Sequence, residues 1–205
     1  MQEELHPWNW FAPENSKTMI IGTFPTARKN WSFDFFYPNK ANLFWKVIAE
    51  ILGTELQFMT GNPATEERKI LLRNLRLAVT DMGKQIIRHA NSSLDENLTV
   101  LEYMDIFQIL DENPTIEKLI FTSSSGKVSA AKWFTEFLTQ KGIRFRFPAG
   151  KKPIRSEMEY RGKIVQLVIL YSPSPRAANR ISFENLVELY RQEILKESSH
   201  GKSSK

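Results

Sequence analysis

The chain of 205 residues carries 28 Lys and Arg against 23 Asp and Glu, a formal charge of +5, and no cysteine. With 41% hydrophobic and 12% aromatic residues it has the apolar material for a core, and its length suits one domain, expected over residues 1–196. The absence of cysteine excludes disulfides, thiolate metal sites, iron–sulfur clusters and cysteine nucleophiles, and the three scattered histidines, His6, His89 and His200, lead us to expect no metal or cofactor.

The first residues, among them Glu3, Glu4, Trp8, Asn9 and Trp10, lack the basic and then apolar order of a secretory leader. No apolar run approaches the roughly 18 residues of a membrane span. The expectation is a soluble, cytoplasmic monomer with no membrane partner.

In chain order, the apolar run at 19–21 predicts a strand. Leu43, Phe44, Val47, Ile48, Ile51 and Leu52 predict a helix, with Asn42 as a candidate N-cap and Gly53 just past its end. A second strand is read at 77–79. A second helix is read from about Leu98 through Leu101, Ile106 and Ile109, stopping before Pro114. Residues 118–122 predict a third strand, followed after Ser125 by a helix carrying Val128, Ala131, Trp133, Phe134, Phe137 and Leu138 and closing at Gly142. Between Lys141 and Lys163 the chain is markedly basic: Arg144, Arg146, Lys151, Lys152, Arg155 and Arg161 face only Glu157 and Glu159. Such a run suits either a solvated hairpin or a phosphate-binding surface. A fourth strand at 165–171 and a helix from Ser182 through Leu186, Leu189, Tyr190 and Ile194 complete the pattern. The polar tail at 197–205 is expected to be disordered.

Strands alternating with helices imply a mainly parallel sheet covered on both faces, with ligands bound at the carboxyl ends of its strands. The loops after Ile21, Val79, Phe121 and Tyr171 are therefore the places for chemistry. The first leads through Gly22, Thr23, Phe24 and Pro25 into a stretch, 31–45, in which seven of fifteen residues are aromatic. Phe33, Phe35, Phe36 and Tyr37 precede the helix, and some of them are expected to line a pocket for a flat ligand. The third, 122–127, ends in Gly126 and Lys127 but lacks the first glycine of a triphosphate loop and has Val128 after the lysine, so it reads as hydroxyls at a helix start. The fourth, Ser172, Pro173, Ser174, Pro175 and Arg176, continuing to Asn179 and Arg180, is stiffened by its prolines. No Gly-x-Ser-x-Gly elbow is present, and the histidines lie outside these loops, which argues against an α/β hydrolase.

Together these loops resemble the uracil-DNA glycosylase superfamily, in particular its mismatch-specific uracil/thymine and hypoxanthine-DNA glycosylase branches. The resemblance rests on Gly-x-x-Pro at 22–25, aromatics before Pro38-Asn39, Asn-x-Phe-Trp at 42–45, and the Pro-Ser loop at 172–176, and it spans about residues 18 to 194. It implies a three-layer α/β/α sandwich around a mainly parallel sheet of four to five strands. It also implies a monofunctional enzyme of base-excision repair that flips a deaminated base, uracil or hypoxanthine, out of DNA and hydrolyses its N-glycosidic bond.

On that resemblance Phe35, or Phe36 or Tyr37 in another register, would stack on the base, and Gly22, Thr23, Phe24 and Ser123 would surround and read it. Pro173, Ser174, Pro175, Arg176, Asn179 and Arg180 would meet the DNA, a damaged or mismatched duplex or single strand. Phe24 stands where many relatives carry Asp or Asn before the proline, and Ser172 where others carry His or Asn. Asn42 is then the plausible catalytic group, a role that competes with helix capping, and Asp34 is the nearest alternative carboxylate. These departures predict a slow enzyme, or a member that keeps the fold and only binds nucleic acid or a free base.

Overall fold

A computed structural model describes residues 2–89, 95–175 and 180–196. Nine strands and five α-helices are described in it: β1 Gln2–Leu5, β2 Trp10–Phe11, β3 Thr18–Gly22, α1 Phe44–Ile51, α2 Gly61–Leu75, β4 Leu77–Asp81, β5 Gly83–Arg88, β6 Leu98–Tyr103, α3 Ile106–Glu112, β7 Lys118–Phe121, α4 Ala130–Gln140, β8 Ile154–Tyr160, β9 Lys163–Ile169 and α5 Phe183–Leu195.

The central sheet has the order β2-β4-β3-β7-β9-β8. Its inner four strands run parallel, with Ile20 opposite both Val79 and Ile120, while β2 and β8 pair antiparallel at the two edges. Because parallel strands are covered on both sides, every residue of β3, β4 and β7 is buried and their centres are continuous apolar runs rather than alternating, with polar residues only at the strand ends, Thr18, Thr80, Asp81 and Lys118. Alternate side chains still go to opposite layers. Met19, Ile21, Leu119 and Phe121 pack with α3 and α4 through Ile106, Ile109, Trp133, Phe134 and Phe137. Ile20, Val79, Ile120 and Val168 pack with α1, α2 and α5 through Phe44, Val47, Leu72, Leu186 and Tyr190. The molecule is thus the expected α/β/α sandwich, its sheet six strands wide rather than four or five.

A second, antiparallel sheet, β1-β5-β6, was not foreseen. It corrects the helix read from Leu98. Residues 98–103 form β6, paired with β5, and α3 starts only where Asp105 Oδ1 accepts from the amides of Phe107 at 3.0 Å and Gln108 at 3.2 Å. The basic stretch also resolves: Ile154 to Tyr160 forms β8, which turns through Arg161 and Gly162, both at positive φ, into β9.

Candidate functional site

The carboxyl ends of β3, β4, β7 and β9 open on one cavity of about 400 Å³, a volume suited to a nucleoside. Its walls include residues 22–26, Tyr37, Asn42, Asp81, Thr122, Ser123, Lys152, residues 171–175 and Arg180. The loops predicted to carry chemistry therefore do converge. Their backbones are pinned to one another: Met82 N donates to Gly22 O and Gly83 N to Thr23 O, both at 3.0 Å, and Leu43 N donates to Pro173 O at 2.9 Å.

Asp81, the last residue of β4, is the residue that sequence reasoning missed. Its carboxylate is buried in the cavity wall, just past Val79, where topology places chemistry but no residue pattern distinguishes this acid. Oδ2 lies 3.0 Å from Nε2 of His6, whose side chain is 1% exposed. A carboxylate offers only acceptors, so Nε2 is the donor. His6 is fixed from behind by the backbone of Trp8 and edge-on by Phe24, with ring centroids 5.3 Å apart. The expectation that the histidines stand apart from the ligand loops is thus corrected: His6 comes in from the N-terminal segment and orients an acid at the site. Gly22 is required beside it, since a Cβ there would stand 2.0 Å from Asp81 Oδ1.

The aromatic stretch divides differently from the expectation. Phe35 and Phe36 are not cavity walls. Both are buried in the core, Phe35 against Trp45 at 5.9 Å and Phe11 at 5.4 Å, Phe36 against Trp8 at 5.3 Å. Tyr37 takes the left-handed conformation, φ 52°, and stacks on Phe44 at 4.1 Å, so it is Tyr37 that reaches the cavity. Trp45 Nε1 donates to Phe36 O at 2.9 Å and holds this turn. Phe24 and Tyr171 are the other aromatic walls.

Asn42 is not the N-cap expected of it, since Leu43 holds that position, but it stands just before α1 and at the cavity. Its Oδ1 accepts from the Phe44 amide at 2.9 Å, at the start of α1, and the residue lines the cavity. Asp34 does not: it is largely exposed, 3.7 Å from Arg28, outside the cavity. Thr23 Oγ1 and Ser123 Oγ are 3.3 Å apart, and Ser123 Oγ accepts from Ala130 N at 2.9 Å. Ser172 Oγ accepts from Ser174 N at 3.2 Å, and the residue lines the cavity. Arg180 donates to Ser125 Oγ at 3.3 Å on the rim. Arg176 and Asn179, and the tail 197–205, lie outside the described residues.

Of the eight basic residues between 141 and 163, only Lys152 lines the cavity. Its ammonium sits 5.4 Å from the centroid of Tyr171, and burial, with Arg180 nearby, pushes it down to about 8. Among the described residues no three His, Asp or Glu side chains group as a metal set, and no helix is long and apolar enough to cross a membrane.

No protein-family model matches the chain, and no curated protein matches it. A solved structure does: the solution NMR structure of a protein from Methanosarcina acetivorans named as a "putative Uracil DNA glycosylase". It is 20% identical, the match covers 91% of this chain and 96% of that one, and the TM-score is 0.57. The likeness places this chain in the uracil-DNA-glycosylase-like α/β/α fold.

Proposed function

We propose that the protein is a DNA glycosylase of the uracil-DNA glycosylase superfamily, one that removes a deaminated base by hydrolysis of its N-glycosidic bond. The observation that carries this reading is Asp81, a buried acceptor set into the wall of a nucleoside-sized cavity between hydroxyls and flat rings. Uracil and hypoxanthine each present a ring N–H where cytosine and adenine present an unprotonated nitrogen. A carboxylate held from behind by His6 accepts from the first pair and repels the second. Phe24 and Tyr37 give the flipped base its stacking surface, in the place expected for Phe35.

The chemistry falls to residues at the cavity mouth. Asn42 positions the water, and the hydroxyl of Ser172 donates to the departing base as negative charge develops on it. With no carboxylate at position 24, the sugar approaches an oxocarbenium ion with modest help, and turnover is slow. Pro173, Ser174 and Pro175 press on the strand and Arg180 meets a phosphate.

Single-turnover cleavage of oligonucleotides carrying uracil, hypoxanthine, xanthine or mismatched thymine, in single and double strands and developed with alkali, tests the proposal. Excision of uracil or hypoxanthine, lost in Asn42→Ala and Asp81→Ala, supports it. No excision of any base, with salt-sensitive binding intact, leaves the alternative of a binding protein on the same fold.

A further inference from the structure

Lys152 is the one basic residue of the 141–163 stretch that turns to the cavity, and it is chemically out of place there. Lys118, a buried lysine, is by contrast fully partnered: its Nζ donates to Glu193 O at 2.8 Å and Lys196 O at 3.2 Å, with the Glu193 carboxylate 3.9 Å away. Lys152 has no hydrogen bond and no ion pair among the described residues, only the face of Tyr171. The charged groups sharing its cavity are Asp81, Glu96, Lys127 and Arg180. A half-buried amine with no carboxylate paired to it, beside another cation, loses its proton more readily than a surface lysine, as its lowered pKa reflects. A deprotonated amine next to a sugar is a nucleophile, and lysine serves carbonyl chemistry in this way.

We propose that Lys152 attacks the abasic sugar held in this cavity, making the protein a strand-cleaving lyase as well. The neutral Nζ adds to C1′ of the open-chain aldehyde, and the carbinolamine loses water to give an imine. The imine acidifies C2′, whose proton passes to solvent water. The electron pair moves to form the C2′–C3′ double bond and expels the 3′ phosphate, leaving the downstream strand with a 5′-phosphate. Water then hydrolyses the imine and frees Lys152, so no other co-reactant is needed. The proposal rests on the glycosylase reading only for the origin of the abasic sugar.

The test incubates the full chain with borohydride and three labelled oligonucleotides, carrying a preformed abasic site, uracil or hypoxanthine. The expected result is a covalent adduct with the preformed abasic strand, at least tenfold weaker for Lys152→Arg, which keeps the charge but not the nucleophile. Peptide mapping of the wild-type adduct, which does not depend on how the variant folds, places it on Lys152. No adduct with the preformed site, an adduct mapped to Lys127 or the N-terminus, or an undiminished adduct in a folded Lys152→Arg overturns the proposal. An adduct with the preformed site but with neither base-bearing strand supports the lyase and counts against base excision.

Discussion

A methyl group on Gly22 would land 2.0 Å from Oδ1 of Asp81, closer than any carbon tolerates. One of the two loops must then move, and overpacking of this kind costs about 3 kcal/mol. Gly22→Ala should therefore lower stability in urea unfolding. Because the clash is with one side chain, the double variant Gly22→Ala, Asp81→Ala should be more stable than the sum of the single changes by about 1 kcal/mol or more. Strict additivity would mean that Gly22 is needed for its backbone and not for the room it leaves. The aromatic residues divide in the same way. Phe35→Ala empties a core position and should cost about 3–5 kcal/mol of stability. Tyr37→Leu keeps apolar bulk but loses the flat ring, and should weaken binding of a base-bearing single strand by about 1–3 kcal/mol. Equal binding by the leucine variant would remove Tyr37 from the stacking surface.

At the scale of elements, α3 depends on a single acid. Asp105 accepts from two amides at the helix start and from Lys141 Nζ at 2.7 Å. Partial burial alone would raise its pKa, but Lys141 and the amides of Gln108 and Phe107 hold it below the usual carboxylate value. A folded-state pKa below the unfolded one means stability that is present above the unfolded value and lost as pH falls through the folded one. Asp105→Ala should thus cost about 1 kcal/mol at neutral pH, and the gap should shrink as the pH drops below about 4. A gap constant from pH 7 to pH 2 would show that the carboxylate charge contributes nothing. The same element shows why only part of the fold was legible. The four inner strands read plainly because burial on both faces makes them apolar runs. Leu98, Leu101, Ile106 and Ile109 suit a helix by spacing alone, and only pairing with β5 decides that the first two lie in a strand. β2 is two residues long, β1 has adjacent glutamates, and α2 buries Arg68 among its apolar side chains, so none of these has a clear period; β8 does alternate, but Arg155, Glu157 and Glu159 on its outer face make the run read as charged rather than as a strand. The site followed from topology, since the loops lie where parallel strands end. His6 could not be read, because it meets Asp81 across 75 residues of sequence, and Tyr37 was ranked behind Phe35 because its left-handed backbone is invisible in composition.

For the whole molecule, the question is which positive charges a nucleic acid would meet. The net charge of +5 and the basic run at 141–163 suggest a broad phosphate surface, but the fold occupies much of that run. Lys141 is paired with Asp105 and Arg161 with Asp111, at 2.7 and 2.9 Å. Arg155 is paired with Glu193, and Lys163 donates to the carbonyl of Pro114. Arg144, Arg146 and Lys151 are not cavity walls. The described cations at the cavity are Lys127, Lys152 and Arg180. If Lys127 and Arg180 carry the phosphate contacts while Lys152 faces the sugar, the logarithm of affinity for a single strand should fall with the logarithm of salt concentration with a slope of about −1.4, where eight contacts along the basic run would give about −6. Fluorescence anisotropy titrations from 50 to 300 mM salt measure it. Lys127→Ala should flatten the slope by about 0.7, and Arg161→Ala, on the far hairpin, should leave it unchanged. A slope near −6 that Arg161→Ala reduces would mean that the strand runs along the hairpin and that the Arg161–Asp111 pair opens to receive it.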